Sequence, residues 1–303
     1  MLAACGIRER FTAVRPCAGG ITNANYAVTL EGGSRVLLRS YRWPHSEPDL
    51  ERGRKEAFLH DLLLRSGVRV PRVHGVSNEG DCIVMEWIEG HRLRDVAGTQ
   101  DGPLSVAWED AGAALRRAHE LRPFDYQAGV IVGTHLEPFS EVWGEHHASL
   151  IRGHARTLRR LGRITEGQLG RIDATAAVAS RVLEMDDHAH LLHNDPHGGN
   201  VLVRKDGSRW RLAAWLDWEY AWMGDPEWDL ARFEIFTRAQ VGAVNEAFWA
   251  GYGRRPDPRK LPFYELHAMV WFGSLQKRRP TVLVEAARDY LRDLDRHLDQ
   301  LGS

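Results

Sequence analysis

His193-Asn194-Asp195-Pro196-His197-Gly198-Gly199-Asn200, followed by Leu216-Asp217-Trp218-Glu219, is the stretch that decides the fold. Between the two runs, Val201-Leu202-Val203 reads as an apolar strand, Lys205-Asp206-Gly207-Ser208 as a turn, and residues 210–216 as the return strand. A hairpin sets the start of one strand beside the end of the other. Asn200 and Asp217 are therefore expected at one open end, with Asp195 on the loop just before. Three oxygen-bearing side chains around one point suit a hard cation such as Mg²⁺ together with its phosphate ligands. Phosphoryl transfer needs these parts: a carboxylate that takes or orients the proton of an attacking hydroxyl, and oxygen ligands that hold the metal against the triphosphate. Asp195 fits the first task, as catalytic base, and Asn200 and Asp217 fit the second. A rival reading takes His193, Asp195 and His197 as an H-x-D-x-H transition-metal site for hydrolysis. That reading leaves Asn200, Asp217 and the whole N-terminal part unexplained, and His193 is expected instead to brace the loop through a backbone hydrogen bond.

Upstream, residues 1–88 read as strands with one helix, and residues 89–303 as mostly helix, giving two lobes that meet near Glu86 to Gly90. Cys17 to Tyr26 is a glycine- and asparagine-rich turn between strands; Gly19, Gly20, Thr22 and Asn23 are its candidate phosphate contacts, because glycine lets backbone N–H groups approach an anion. The following strand ends in Val36-Leu37-Leu38-Arg39, where Arg39 can reach the phosphates. A helix over residues 48–66, stopped by Gly67, carries Glu56, placed to pair with Arg39 and aim it. After a strand over residues 81–88, the crossover Met85-Glu86-Trp87-Ile88 offers backbone groups to a nucleotide base, with Glu86, Trp87 and Ile88 as contacts. Further helices are expected over residues 105–121, within residues 165–185, from near Pro226, and at the C-terminus, where Ala287, Leu291, Leu294, Leu298 and Leu301 keep helical spacing and are expected to face the core.

The bulk numbers exclude several classes. With 40 basic and 41 acidic side chains, the net charge of -1 gives no field that would recruit nucleic acid or an anionic membrane. The three cysteines, Cys5, Cys17 and Cys82, form no metal-type spacing, and their odd number argues against a disulfide framework and for a reducing cytoplasm. No stretch approaches the roughly 18 apolar residues of a membrane helix.

Taken together, Gly19 to Asn23, Leu37 to Arg39, Glu56, Val70-Pro71, Met85 to Trp87, His193 to Asn200 and Leu216 to Leu230 resemble the aminoglycoside phosphotransferase and choline kinase superfamily. The resemblance implies an α+β, protein-kinase-like bilobal fold. It implies ATP or GTP as donor, Mg²⁺ as cofactor and a small-molecule hydroxyl as acceptor. It also implies Asp195 as base and Asn200 and Asp217 as metal ligands. Arg39 stands where the antibiotic kinases often carry lysine, and it looks more like the choline kinase branch.

The acceptor is expected beside Asp195. Asp225, Glu227 and Asp229, with Trp222 and Trp271, are its candidate contacts: the carboxylates for a cationic, aminoglycoside-type antibiotic, the aromatic faces for a quaternary ammonium. Asp225 and Asp229 alternatively cap the helix near Pro226 or hold the catalytic loop. Three functions follow: an antibiotic O-phosphotransferase; a metabolic kinase for choline, a related amino alcohol or a sugar; or a nucleotide-binding protein without kinase activity. Either a monomer or a homodimer is compatible with the sequence.

Overall fold

The computed structural model describes residues 2–17, 23–41, 50–98, 103–124, 127–185, 188–275 and 291–302. Gly19, Gly20 and Thr22 lie outside these described residues.

Strands β1 (Phe11–Pro16), β2 (Ala24–Leu30), β3 (Arg35–Ser40), β4 (Val73–Val76) and β5 (Cys82–Glu86) form one antiparallel sheet in the order β1-β2-β3-β5-β4. The two-residue period of a strand sorts β3 between two faces. Val36 and Leu38 pack with Val28, Leu30 and Val84 under the short helical turn Ala3–Cys5. Leu37 and Arg39 point the other way, toward the cleft described below. Helix α1 (Leu50–Arg65) lies against that second face and ends, as its sequence predicts, at Gly67 in the left-handed conformation. Its Glu56, Leu59, His60 and Leu63 fall on one stripe at helical spacing, and all four are buried. Leu59 and Leu63 do not close a core private to the N-terminal sheet. They join the largest apolar cluster of the molecule, with Leu93, Leu115, Trp215 and Phe233.

Beyond residue 90 the chain is helical, with α2 (Leu93–Val96), α3 (Ser105–His119), α4 (Trp143–Arg160), α5 (Glu166–Val182), α6 (Pro226–Val241), α7 (Glu246–Tyr252), α8 (Leu261–Gly273) and a C-terminal helix Leu294–Gly302. Thr165 caps α5 with a full capping box to Gln168. In the C-terminal helix Leu294 and Leu298 are buried with α8 residues, so that stripe faces the core.

Two small sheets interrupt the helices; the sequence reading gave the hairpin at the heart of the first, but not the strand added to its edge nor the second sheet. β6 (His91–Arg92) joins the edge of the hairpin β10 (Val201–Asp206) and β11 (Arg209–Trp215), pairing Arg92 with Leu202. β7 (Gly129–Val132), β8 (His135–Pro138), β9 (His190–Leu192) and β12 (Trp222–Gly224) form a second sheet in which Trp222 pairs with Leu192. This pairing ties the entry of the loop at His193 to the segment leaving Asp217. Strands of two to four residues carry no readable periodicity, so only tertiary pairing creates them. Among the described residues no helix is long and apolar enough to cross a membrane.

Candidate active site

The hairpin geometry is as the sequence requires. Val201 pairs with Trp215, and the Leu216 N–H donates to the Asn200 carbonyl at 2.9 Å, so Asn200 and the residue before Asp217 are direct neighbours. Asn194 and Asp217 both adopt the left-handed conformation, φ 63° each, and are the two non-glycine residues to do so among the described ones. Short polar side chains tolerate this conformation because they can bond locally. Asn194 does: its Nδ2 donates to the Tyr220 carbonyl at 3.0 Å, and its Oδ1 accepts from Trp228 Nε1 at 2.6 Å.

The loop is braced from behind. The His193 and Asn194 N–H groups donate to the two oxygens of Asp229 at 2.6 and 2.9 Å, and His119 Nε2 meets the same carboxylate at 3.0 Å. The His193 ring donates from Nε2 to the Leu216 carbonyl at 2.8 Å and accepts the Asp195 N–H at Nδ1. His193 is thus spent on backbone and is fully buried. Among the described residues no group of three or more His, Cys, Asp or Glu can hold a metal, which removes support for the H-x-D-x-H reading.

Asp195 stands free of this brace, its carboxylate 31 % exposed to the cleft. Burial pushes its carboxyl up, but His197 at 3.7 Å, Arg232 at 3.4 Å and His193 together outweigh that and hold it below the usual carboxylate range. Asn200 Nδ2 donates to the Asp195 carbonyl at 3.0 Å, which turns the amide oxygen to the other side. Asn200 and Asp217 both border the same cleft, and an amide oxygen and a carboxylate are hard-oxygen donors of the kind that Mg²⁺ takes.

Arg39 comes in from β3. Its Nη1 donates to both Glu56 oxygens at 2.9 and 3.1 Å, its Nε to Asn25 Oδ1 at 3.0 Å, and its Nη2 to Asp217. Burial opposes the charge, yet Glu56 and Asp217 reverse the balance and raise the guanidinium pKa well above normal. In Asp217 burial is likewise overcome, here by Arg39, and its carboxyl is held low. Tyr41 also donates to Glu56. Asn23 donates to both oxygens of Glu219 at 2.9 Å, and Arg52 approaches the same carboxylate at 3.4 Å. Glu219 is pushed up to about 7, mainly by burial, with Arg39 and the Asn23 bond offsetting part of it.

Asn23, Asn25, Arg39, Glu56, Asp195, Asn200, Asp217 and Glu219 border one cleft of 810 Å³, within the usual range of ligand pockets. Its lining includes Leu37, Met85, Glu86, Trp87, Ile88, Leu202 and Leu216. The Glu86 N–H is already taken by the Arg72 carbonyl at 2.8 Å, and the Trp87 indole turns to Glu89 and Arg35. Trp222, Trp228, Arg232, Phe236, His267 and Trp271 also line it.

Three expected acceptor contacts stand elsewhere. Asp229 has no exposed surface and holds the loop amides. Asp225 caps α6 through the Glu227 N–H at 3.0 Å and pairs with Lys260 at 2.6 Å. Glu227 pairs with Arg254 and accepts the Asp257 N–H at 2.7 Å. Asp225 and Glu227 border a separate cavity that contains none of Asp195, Asn200 or Asp217. The carboxylate-lined acceptor site is corrected accordingly: carboxylates this deep are consumed by caps, backbone and buried ion pairs. Trp222 and Trp271 do border the cleft. The sequence reading passed over Arg232, although Trp228, Arg232, Phe236 and Gln240 recur at four-residue spacing and so share one face of α6.

The comparisons with known proteins agree with this architecture. A probable ketoamine kinase of Thermus thermophilus is 30% identical over 224 residues, covering 72% of this chain and 74% of that protein. A Thermobifida fusca protein provisionally named a fructosamine-3-kinase superposes with a TM-score of 0.64 at 21% identity, over 95% of both chains. A thermostable mutant of aminoglycoside phosphotransferase APH(4)-Ia superposes at 0.69 with 15% identity, covering 96% of this chain and 93% of that one. A choline/ethanolamine kinase family protein of Mesorhizobium loti gives 0.60 at 20%, over 96% and 92%. At such identities the structures speak for the fold alone, which is α+β and protein-kinase-like. The model of the phosphotransferase enzyme family matches residues 13–264, and the chain belongs to that family as a small-molecule kinase.

Proposed function

We propose that the protein is an ATP- and Mg²⁺-dependent O-phosphotransferase acting on a hydroxyl of a small molecule. The carrying observation is convergence: Asp195 and Asn200 of one loop, Asp217 after the hairpin, Arg39 of β3 and Glu56 of α1 border one cleft. In this reading Asp195 orients the acceptor hydroxyl and takes its proton, with a carboxylate held ionised for that purpose. Asn200 and Asp217 hold Mg²⁺, which supplies charge neutralisation of the phosphates when bound. Arg39, aimed by Glu56, faces the α- and β-phosphates, and the Met85 to Ile88 crossover takes the base. ATP is favoured over GTP because the APH(4)-Ia structure holds AMP-PNP. Use of both reagents fits a cytoplasmic enzyme.

The ketoamine kinase relative supports a sugar-type acceptor. An aminoglycoside acceptor, which several structural neighbours take, draws less support here, because the carboxylates expected to receive it face other partners.

The test is ADP release across ketoamines, sugars, amino alcohols and aminoglycosides, with Asp195→Asn as control. Asp195→Asn is expected to lower kcat by about 10²-fold or more while nucleotide affinity stays unchanged. Near-normal turnover in that variant would remove Asp195 from its role.

A further inference from the structure

Arg39 faces the cleft, but its charge is already shared: its nitrogens donate to Asn25, Glu56 and Asp217. The same cleft is bordered by the carboxylates of Asp195 and Glu219. A nucleotide triphosphate brings further negative charge to this wall, so it calls for positive charge that Arg39 has already committed. Arg92 offers such a charge. It lies on β6, shortly after the crossover Met85 to Ile88, and borders the cleft. Two bonds fix this segment against the catalytic loop: the Arg94 N–H donates to the Gly198 carbonyl at 3.1 Å, and Arg92 Nη1 donates to the Gly199 carbonyl. Backbone pairing of Arg92 with Leu202 holds it to the hairpin. Gly199 immediately precedes Asn200, which puts the guanidinium between the crossover and the candidate metal ligands. Its charge is felt at Asp217: burial raises that carboxyl, and Arg39 first, then Arg92, bring it below the usual range. Arg92 is half-buried, and among the described residues no carboxylate lies within ion-pair distance of it; the Gly199 carbonyl is its one side-chain hydrogen-bond partner there. Arg94 differs, being paired with Asp95 at 3.3 Å.

We propose that Arg92 is a donor-binding residue: it meets the nucleotide phosphates from the hairpin side of the cleft and makes donor affinity depend on phosphate charge. A guanidinium fork has more donors than one carbonyl uses, so Arg92 can keep Gly199 and take phosphate oxygens as well. Half-burial strengthens such a pair relative to one at the open surface, where water screens it. The two arginines then divide the work. Arg39, gripped by Glu56 and Asp217, orders the metal side of the site. Arg92, anchored through a neutral carbonyl, keeps its full charge for the nucleotide. This inference rests on the kinase reading of the cleft, and it deepens that reading by naming the residue that selects di- and triphosphates over the bare nucleoside.

The experiment is isothermal titration of the full chain with adenosine, ADP and AMP-PNP in the presence of Mg²⁺, comparing the wild type with Arg92→Gln and Arg92→Lys. Glutamine keeps a donor for the Gly199 carbonyl but no charge, and lysine keeps the charge without the fork. Arg92→Gln is expected to weaken ADP and AMP-PNP about tenfold or more and to leave adenosine unchanged. Arg92→Lys is expected to recover part of that loss. Thermal melts establish that both variants are folded. The proposal is overturned if folded Arg92→Gln binds AMP-PNP as the wild type does, if adenosine weakens by the same factor as AMP-PNP, or if Arg92→Lys is no better than Arg92→Gln. Failure of the kinase reading looks different: the wild type then binds neither AMP-PNP nor ADP.

Discussion

At the scale of single residues, Arg39 shows how much one side chain organises. It bonds Glu56, Asn25 and Asp217 at once through three separate nitrogens of a planar fork, a spread that a compact ammonium does not match. Arg39→Lys is therefore expected to keep the fold but lose one carboxylate, raising the nucleotide KM and lowering kcat/KM about tenfold, or ~1.4 kcal/mol. Steady-state kinetics with varied nucleotide check this, and unchanged kinetics would show that the fork is dispensable. Arg39, Glu56, Asp195, Asn200 and Asp217 were all legible from residue type and order alone. Arg232 and Glu219 were not, because one charge among the several of α6, or one after a tryptophan, has no local signature that separates it from its neighbours. Their roles arise only from what surrounds them.

Elements explain why the loop holds its shape. The strand β9 ends where the loop begins, and α6 presents Asp229 to the His193 and Asn194 amides. Removing that carboxylate strands two buried N–H groups and the ring of His119. Asp229→Ala is expected to cost about 3 kcal/mol or more, read as a lower denaturant midpoint, together with loss of turnover. A stable Asp229→Ala protein would contradict the brace. Helices α4 and α8 meet through His147 and His267, whose Nδ1 atoms are 2.9 Å apart and whose rings are buried. Burial lowers both pKa values well below 6.5, and in each case a neighbouring histidine adds to the shift. The unfolded chain thus binds protons that the folded one refuses. Stability from this pair is complete above about pH 6.5 and falls as pH drops toward the depressed values. The slope is up to about 1.4 kcal/mol per pH unit for each ring. Thermal melts between pH 7.5 and 5 should show the fall, and a folded His147→Leu/His267→Leu protein should show a shallower one; an equal slope in both would place the acid sensitivity elsewhere.

Across the whole molecule, contacts from the N-terminal sheet and α1 reach the segment after the hairpin: Arg39 to Asp217, Asn23 and Arg52 to Glu219, and Arg52 over the Tyr220 ring at 5.2 Å. Asn23 precedes β2, so its grip on Glu219 ties the start of that strand to the segment after the hairpin. Asn23→Ala removes hydrogen bonds to a buried carboxylate, each worth about 1.5–3 kcal/mol. The expected outcome is a roughly tenfold or larger rise in nucleotide KM, with faster amide exchange over β2. Wild-type KM and exchange would show that the contact does not position the start of β2.

The sequence by itself determined the pieces whose geometry is local. The hairpin follows from turn chemistry and apolar runs, and it brings Asn200 and Asp217 to one end wherever the rest of the chain goes. The order of glycine-rich turn, Arg39, Glu56 and catalytic loop carried the fold class with it. Tertiary structure alone decided which carboxylates of α6 face the cleft. Asp225, Glu227 and Asp229 lie at the start of the same helix as Arg232, yet each is consumed by a cap, a cation or a backbone amide, while Arg232 reaches the base. The reason is physical: a helix has a fixed periodicity but no fixed rotation. Which stripe meets the cavity is set by the burial of Trp228, Leu230 and Phe233 against distant helices, and that packing cannot be read from one segment.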